Sequence, residues 1–270
     1  MGTGRTLMLV AAHPDDDAYG LAGTVALHGD DPRFRYVLVH ATFGEAGDIA
    51  PGVDATPETL GQVRRAECEA AWRAHGRVPD RHDWLGHPDG ALRELPPGRL
   101  QGDIEAVMAA ERPDVVATFG PDGITGHPDH VEVGRATDAA FHRLRADGGP
   151  GLRRLVHGAL PQSVFERWNR NQVRRGREPW DPTRVYHLRG VPDHEIGVVV
   201  DTSTVTDRIL AGLLEHRSQR HVITTTGSDT ESWARSTARE CLVLAWPPRP
   251  PGAPVLADVF EGLDDGEVTG

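Results

Sequence analysis

The sequence contains no lysine, so arginine supplies all 29 basic residues. We interpret the absence of lysine, together with the abundant glycine and proline, as the codon usage of a GC-rich genome. Acidic residues number 40, which gives a formal net charge of −11. A chain of this sign repels the phosphates of nucleic acids and anionic lipid surfaces. We therefore expect that the partner is not a nucleic acid.

Cysteine is scarce and long apolar runs are absent. Cys68 and Cys241 are far apart and match no metal or redox spacing, so a reducing compartment is the simpler interpretation, although a disulfide stays open. The apolar run at 7–12 is too short for the core of a signal peptide. No stretch approaches the roughly 18 to 20 apolar residues of a membrane span. These features predict a cytoplasmic protein without membrane insertion and leave the oligomeric state open.

Apolar runs rich in β-forming residues alternate with segments of helical period. Strands are predicted at 7–12, 34–41, 83–85, 114–119, 152–160 and 197–200. Helices are predicted at 16–29, 57–75, 100–111, 130–144, 205–217 and 231–239. This alternation predicts an α/β fold, a Rossmann-like and mostly parallel sheet with helices on both faces.

No internal repeat or linker interrupts the chain, so a single domain is predicted over 1–270. Residues 1–160 form its core α/β part, and 161–270 form loops near the substrate and C-terminal elements. A surface loop is predicted at 43–57, and an irregular lid-like excursion, polar and rich in arginine, at 161–191. Trp168, Trp180 and Tyr186 lie in the excursion and either form an apolar platform or pack inward. The tail after Trp246 is predicted to be extended and peripheral.

The first strand is followed by His13, Pro14 and the three carboxylates Asp15, Asp16 and Asp17. In a doubly wound sheet, ligands bind outside the carboxyl ends of the strands, and this turn is the usual place. It lacks the glycines of a dinucleotide fingerprint, and three carboxylates repel a pyrophosphate. We therefore expect this turn to bind a cation. The alternative, that Asp16 or Asp17 caps the first helix, stays open, more so for Asp17.

A second loop of this kind follows the strand at 114–119 and contains His127, Asp129 and His130. Both loops should open at the same edge of the sheet. A set of His13, Asp16 and His130 leaves at least one coordination position open, as hydrolytic zinc sites do. Iron(II) fits the same ligands.

The two loops resemble the motifs of the zinc-dependent de-N-acetylases of the PIG-L/LmbE type, which remove acetyl groups from N-acetylglucosamine units. The first motif is Ala-His-Pro-Asp-Asp at 12–16, and the second is His-Pro-Asp-His at 127–130. The resemblance extends from about residue 5 to about residue 145, and more loosely to about residue 220.

This resemblance implies a role for each residue of the two motifs. It implies that the zinc ligands are His13, Asp16 and His130. Asp15 is the implied general base, and a protonated His127 stabilises the oxyanion or donates a proton to the departing amine. Asp129 is implied to orient a histidine, the alternative being a turn residue without catalytic effect.

Shorter matches imply substrate contacts. Glu45 lies in a segment that resembles the family's GE-x-G loop, Arg64 with Glu67 resembles its R-x-x-E helix, and Asp89 resembles an aspartate that contacts sugar hydroxyls. The alternative for each is an exposed loop charge or a surface salt bridge. A late motif of His216, Ser218 and Gln219 has no implied role beyond buttressing the fold.

Three departures from the family pattern bear on the site. Asp17 stands where many relatives have glutamate. His87 stands where an aromatic or hydrophobic residue is common, so it is either a substrate contact or an exposed side chain. The excursion at 161–191 matches no motif, and we expect it to decide which molecule carries the acetylated sugar.

The expected function is that of a metal-dependent amide hydrolase that deacetylates an N-acetylglucosaminyl group on a small molecule. A glycopeptide antibiotic precursor and a precursor of a low-molecular-weight thiol are the two substrate types considered. One alternative is an amidase that cleaves a thiol conjugate at the same type of amide. Another is a non-catalytic metal-containing protein that binds sugars, which Asp15 and His127 argue against because a structural zinc needs neither.

Overall fold

Seven strands form one sheet in the part of the chain that the computed structural model describes, residues 5–223 and 235–263. They are β1 (Arg5–Ala11), β2 (Phe34–His40), β3 (Arg81–Trp84), β4 (Val115–Phe119), β5 (Arg154–Gly158), β6 (Ile196–Asp201) and β7 (Arg239–Trp246). Their order across the sheet is β3-β2-β1-β4-β5-β7-β6. The first five strands are parallel, and β7 runs antiparallel to both β5 and β6. The predicted mostly parallel sheet is confirmed.

Helices cover both faces of this sheet, as predicted. They are α1 (Asp16–Gly20), α2 (Ala22–His28), α3 (Leu60–His75), α4 (Arg99–Glu111), α5 (Gly123–Gly126), α6 (Pro128–Ala146), α7 (Gln162–Arg174), α8 (Thr206–Leu213) and α9 (Arg220–Ile223). Leu7 and Leu9 of β1 belong to the core that α2, α3 and α8 cover. Met8 and Val10, on the other face, belong to the core that α4 and α6 cover. Strand β1 is therefore apolar on both sides because both sides are buried.

The direction of winding changes at β1. The chain passes from β1 to β2 and β3 on one side of it, and then to β4 and β5 on the other side. The loops after β1 and β4 therefore leave neighbouring strands at the same edge of the sheet. This switch point is where doubly wound sheets bind ligands.

The single helix predicted at 16–29 is wrong, because the chain breaks at Leu21 (φ −146°, ψ 17°) into α1 and α2. The buried carboxylate of Glu240 accepts hydrogen bonds from the backbone N–H groups of Gly23 (2.7 Å) and Thr24 (2.9 Å), and from the Thr24 hydroxyl. These donors are the free N–H groups at the start of α2. In a continuous helix these N–H groups would donate to carbonyls of the preceding turn. Here the side chain of Glu240, 217 positions from Gly23 along the chain, accepts their hydrogen bonds instead.

The irregular excursion predicted at 161–191 is also wrong in part, because residues 162–174 form α7. The apolar side chains Val164, Phe165 and Trp168 follow helical spacing, but arginine and other polar residues dominate the segment, so its overall polarity favours an irregular structure. The following residues, 175–190, contain neither helix nor strand.

The C-terminal part departs further from the prediction. The helix predicted at 231–239 is wrong at its end, where Arg239 already begins β7, and its residues 231–234 lie outside the described residues. No strand is predicted at β7, because the charged residues Arg239 and Glu240 stand at its start, before the apolar run. The tail is not wholly peripheral, because Val259 and Phe260 are buried in the core on the α2 side of the sheet.

Two expectations concern cysteines and membranes. Cys68 and Cys241 are both free, so the disulfide that the sequence left open does not form. Among the helices within residues 5–223 and 235–263, none has the length and apolar character needed to cross a bilayer.

The buried Glu240 predicts a pH dependence of folding stability. Burial raises the pKa of this carboxyl to about 7, although its hydrogen bonds to Thr24 and Gly23 lower it. Because the folded-state pKa lies above the unfolded value of about 4.3, its stabilising contribution is complete below about pH 4 and is lost as pH rises through about 7. We expect the wild-type free energy of unfolding, measured by denaturant titration, to fall relative to that of Glu240→Gln between pH 5 and pH 8, by about 1–3 kcal/mol.

The matched control is Glu178→Gln, which changes an exposed glutamate of the excursion. Its difference from wild type should stay constant over the same pH range. The amide introduced by Glu240→Gln satisfies fewer of the donors at the start of α2, but that loss adds an offset that does not vary with pH. A wild-type minus Glu240→Gln difference that is flat from pH 5 to pH 8 would contradict the assignment.

Candidate active site

Four loops meet at the carboxyl edge of the sheet. His13 follows β1, Glu45 follows β2, Asp89 follows β3, and the segment from Asp122 to His130 follows β4. The predicted convergence of the two histidine–aspartate loops occurs, and His13 and His127 have ring centroids 4.7 Å apart.

The turn after β1 has an unusual backbone. Asp15 has φ 119°, which lies in the region that favours glycine. Its N–H donates to the carboxylate of Asp17 (3.1 Å), and the N–H of His13 donates to that of Asp16 (2.8 Å). Two carboxylates of the turn thus bind the turn's own backbone and fix its shape.

Asp17 itself points into the core. It accepts hydrogen bonds from His40 Nε2 (3.1 Å), Trp72 Nε1 (2.5 Å) and Cys68 Sγ (3.6 Å). Burial raises the pKa of this carboxyl, but the interactions with His40 outweigh that effect and hold the pKa well below its usual range. Asp17 makes no N-cap hydrogen bond to α1, so the capping alternative fails for it.

The donor atoms of His13, Asp16 and His130 lie together. His13 Nδ1 is 3.4 Å from Asp16 Oδ2, His130 Nε2 is 3.2 Å from Asp16 Oδ1, and the two ring nitrogens are 3.3 Å apart. Ligands held tetrahedrally at zinc distances of about 2.0–2.1 Å are separated by about 3.3–3.4 Å. The three side chains therefore fit a tetrahedral metal ion without rearrangement.

The other nitrogen of each histidine is already engaged. His130 Nδ1 lies 3.0 Å from the carbonyl oxygen of Gly123, and His13 Nε2 lies 3.0 Å from Asp89 Oδ1 and 3.4 Å from Asp129 Oδ2. A ring N–H donated to these acceptors leaves the facing nitrogens, His13 Nδ1 and His130 Nε2, with free lone pairs. Outer hydrogen bonds of this kind set the tautomer of metal-binding histidines.

Carboxylates crowd around His13. Burial lowers the pKa of its imidazole, but hydrogen bonds to Asp129, Asp16 and Asp89 outweigh burial and raise it well above the ordinary value. Asp129 is fully buried and also accepts hydrogen bonds from the N–H groups of Gly90 (2.7 Å) and Leu92 (3.3 Å). The histidine that Asp129 contacts with its carboxylate is thus His13, and the excess of negative charge suits a bound cation.

Within residues 5–223 and 235–263, two further sets of side chains bring possible ligand atoms within 4.8 Å of one another: His13, His127 and Asp129, and His40, Cys68 and His82. In the second set, His40 Nδ1 is 2.8 Å from His82 Nε2, which is shorter than the separation of tetrahedral zinc ligands, and the other nitrogen of His40 faces Asp17. In the first set, His127 Nδ1 and the Asp129 carboxylate already accept hydrogen bonds from backbone N–H groups. The separations within the set of His13, Asp16 and His130 are the ones that match a tetrahedral ion.

Asp15 lies beside the set of His13, Asp16 and His130, and its side chain is 15% exposed. Burial raises the pKa of its carboxyl to about 6, and Arg64 opposes the shift. Arg64 Nη2 lies 3.4 Å from Asp15 Oδ2 and donates to the carbonyl of Pro14 (2.6 Å), while Nη1 donates to the carbonyl of Gly44 (2.9 Å). Arg64 is 5% exposed, so it is not a surface salt bridge. It joins the loops after β1 and β2 beside Asp15.

His127 has one ring nitrogen engaged by the backbone of its own motif. Its Nδ1 accepts a hydrogen bond from the N–H of Asp129 (3.1 Å), which leaves the proton on Nε2. Burial, and then the neighbouring His13 and His130, lower its pKa to about 4. Both effects favour a neutral imidazole with a proton on Nε2, and the protonated form that the family resemblance implies stays a prediction.

The loops that carry Glu45 and Asp89 are interlocked. Glu45 accepts hydrogen bonds from the N–H groups of Asp89 (3.0 Å) and Phe43 (3.2 Å), and Asp89 accepts one from Ala46 (2.9 Å). Neither residue is an isolated surface charge. Their contact with a sugar stays a prediction.

Ser218 and Gln219 of the late motif make contacts that support the fold, whereas both ring nitrogens of the buried His216 lack a hydrogen-bond partner among the described residues. Glu67 accepts hydrogen bonds from the N–H (2.8 Å) and hydroxyl (2.6 Å) of Ser218, and Gln219 donates to the carbonyl of Asp48 (2.9 Å). These contacts tie the loop after β2 to α3. His87 is buried, so the exposed alternative fails for it, and its Nε2 lies 3.0 Å from Asp103 on α4. Its contact with a substrate stays a prediction.

The three aromatic residues of the excursion divide into two groups. Trp168 and Trp180 are half-buried, with ring centroids 6.3 Å apart. Tyr186 is 70% exposed, and its ring centroid is 5.2 Å from that of His127. No sequence pattern indicates that proximity, because it results from a long irregular segment that returns over the site.

Comparison with known proteins matches the region that contains both loops. The family model for PIG-L, described as GlcNAc-PI de-N-acetylase, matches residues 8–141, which carry both histidine–aspartate loops. The 1D-myo-inositol 2-acetamido-2-deoxy-alpha-D-glucopyranoside deacetylase of Kineococcus radiotolerans is 32% identical over 253 residues, covering 80% of this chain and 69% of the relative.

Solved structures support the fold. The conserved protein TT1542 from Thermus thermophilus aligns with a TM-score of 0.61 at 24% identity, over 94% of this chain and 100% of that one. The 4-carboxy-2-hydroxymuconate hydratase GalB from Pseudomonas putida aligns with a TM-score of 0.64 at 15% identity, over 93% of this chain and 100% of that one. Since a hydratase shares the fold, the assignment depends on sequence identity and on the site residues. On both, this chain belongs to the PIG-L family of de-N-acetylases.

Proposed function

We propose that this protein is a metal-dependent deacetylase that hydrolyses the acetamide of an N-acetylglucosaminyl group on a small molecule, releasing acetate and a free amine. The observation that carries the proposal is the group of His13, Asp16 and His130, whose donor atoms lie 3.2–3.4 Å apart beside the carboxylate of Asp15. A binding protein that used a metal only for structure would not need Asp15 at this position.

Zinc is the metal that the donor set favours, and iron(II) suits the same ligands. His13 would bind it through Nδ1, His130 through Nε2 and Asp16 through its carboxylate. When bound, the ion supplies positive charge that polarises the acetyl carbonyl and makes water more acidic. Asp89 and Asp129 act on the far side of His13, where they orient the ring and increase its basicity.

The protein's own residues handle the protons. Asp15 accepts a proton from the water that attacks the carbonyl carbon, and Arg64 holds this carboxylate in place through Pro14 and Gly44. His127, which keeps a proton on Nε2, donates a hydrogen bond to the oxygen on which negative charge develops. The C–N bond then breaks, and the proton held by Asp15 passes to the departing nitrogen to give the amine and acetate.

For the substrate we favour a glycoside of a small polar alcohol. The relative from Kineococcus radiotolerans is named for an acetamido-glucopyranoside of inositol. A glycopeptide antibiotic precursor is the competing substrate, and amide cleavage of a thiol conjugate is the competing activity. Assays of acetate release and of conjugate cleavage, each with and without a chelator, separate these possibilities, and no acetate release from any N-acetylglucosaminyl compound would refute the proposal. A cytoplasmic location stays a prediction.

Replacing the proposed base tests the mechanism. Asp15→Asn should lower kcat by about 10²–10⁴-fold, because the amide does not accept the proton of the attacking water. Acetate release measures turnover, and elemental analysis of the same samples measures bound metal, which should be unchanged. Asp54→Asn, an exposed aspartate of the loop after β2, is the matched control. Near wild-type turnover by metal-replete Asp15→Asn would show that another group is the base.

Removing a ligand tests the metal site without reference to activity. His130→Ala should weaken zinc binding to metal-stripped protein, measured by competition with a chromophoric chelator, by more than the roughly 10- to 100-fold that loss of an outer partner causes. His142→Ala removes an exposed histidine of the same helix, α6, and should bind zinc like the wild type. Equal affinities for the two variants would exclude His130 as a ligand.

A further inference from the structure

The last part of the excursion is fixed to the loop that carries His127. We call residues 181–189 the strap. The N–H of Tyr186 donates to the carbonyl of Thr125 (2.9 Å), and the N–H of Arg189 donates to that of Ile124 (2.8 Å). The Arg189 guanidinium also donates to the carbonyl of Asp122 (3.4 Å). The strap therefore moves with this loop, and its side chains keep a set position relative to His127.

Tyr186 is held in a costly conformation without being buried. Its φ is 66°, and Ile124 across the contact has φ 62°. Such a backbone conformation is unfavourable for a residue other than glycine and persists where the surroundings impose it, often at functional sites. The ring is 70% exposed, so burial of the side chain does not offset this cost.

The other aromatic residues of the excursion are used differently. The side-chain amide of Asn169 accepts from the N–H of Trp180 (2.8 Å) and donates to its carbonyl (3.0 Å), which closes the excursion on itself. Trp168 packs against Trp180 in the same region. Of the three aromatic residues, Tyr186 is the exposed one, and its ring forms a T-shaped pair with that of His127, with an interplanar angle of 75°.

We propose that Tyr186 forms one wall of the sugar subsite and packs its ring against the C–H face of the pyranose that carries the acetamide. The inference rests on the proposed function. If His127 Nε2 serves the amide, the sugar carbon bonded to the amide nitrogen lies within a few ångströms of His127, and the pyranose ring extends from there. Tyr186 stands beside that position. A pyranose presents weakly polar C–H groups on its faces, which an open aromatic ring can cover.

Ligand binding tests this directly. In the zinc-loaded Asp15→Asn protein, which should bind the acetamide without cleaving it, the affinity for methyl N-acetylglucosaminide is measured by titration calorimetry. Adding Tyr186→Ala should raise Kd about 10-fold, equivalent to about 1.4 kcal/mol. Tyr186→Phe keeps the ring and should restore Kd to within about threefold. Val185→Ala removes a neighbouring exposed side chain and is the matched control.

Two measurements distinguish a ring that contacts the sugar from a residue that only supports the fold. Tyr186→Gly relieves the left-handed backbone, whereas Tyr186→Ala retains the strain, so a loss caused by a missing ring is the same in both variants. In the otherwise wild-type enzyme, Tyr186→Ala should raise KM by a similar factor and change kcat by less than about threefold.

Several results would overturn the inference. Equal Kd for Tyr186→Ala and Val185→Ala would show that the ring makes no contact. A fall in kcat for Tyr186→Phe at constant KM would place the phenol in the chemistry and not in the wall. A wild-type enzyme that neither binds the glycoside nor releases acetate refutes the proposed function and this inference together, whereas normal turnover with an unaffected Tyr186→Ala variant refutes the inference alone.

Discussion

The buried carboxylate of Asp17 holds together the parts of the protein from which the site is built. It accepts hydrogen bonds from β2 through His40, from α3 through Trp72, and from the turn after β1 through the N–H of Asp15. A charge taken out of water is costly unless several donors surround it, and these donors meet that requirement. Because the third carboxylate of the turn points inward, the first two, Asp15 and Asp16, are left to face the crevice.

His13, in the same turn, contacts two sides of the site through its two ring nitrogens. His13 directs Nδ1 toward Asp16 and His130, and Nε2 toward Asp89 and Asp129. Asp129 in turn binds two backbone N–H groups at 90 and 92, so the loop after β3 is coupled to the orientation of this ring. The position of the donor atoms therefore depends on several of the loops at the sheet edge.

The sequence predicts best what depends on nearby residues. The strands before both histidine–aspartate loops, and the edge at which those loops meet, follow from short apolar runs and from the direction of parallel strands. The break between α1 and α2 does not, because it depends on Glu240, 217 positions from Gly23. The resemblance identifies Arg64 but not the burial of its guanidinium, which decides what the residue contacts. The tautomer of His127 depends on the geometry of a backbone N–H within its own motif, which the sequence does not show. Helix α7 is not predicted because its few apolar residues, although they follow helical spacing, lie among many polar ones.

Fold and reaction are therefore determined by different parts of this chain. A hydratase shares the sheet and its helices, so the sheet itself specifies only where a ligand binds. The side chains at the ends of β1 and β4 supply the atoms that we propose carry the reaction, with a cation on one side and a carboxylate base on the other. The excursion at 161–191 then adds the surface next to His127, and it does so through the backbone contacts of Tyr186 and Arg189 with the loop after β4. Because these contacts use backbone N–H and carbonyl groups, the side chain at position 186 can change without altering the donor atoms below it, so substrate choice and catalytic chemistry can vary independently.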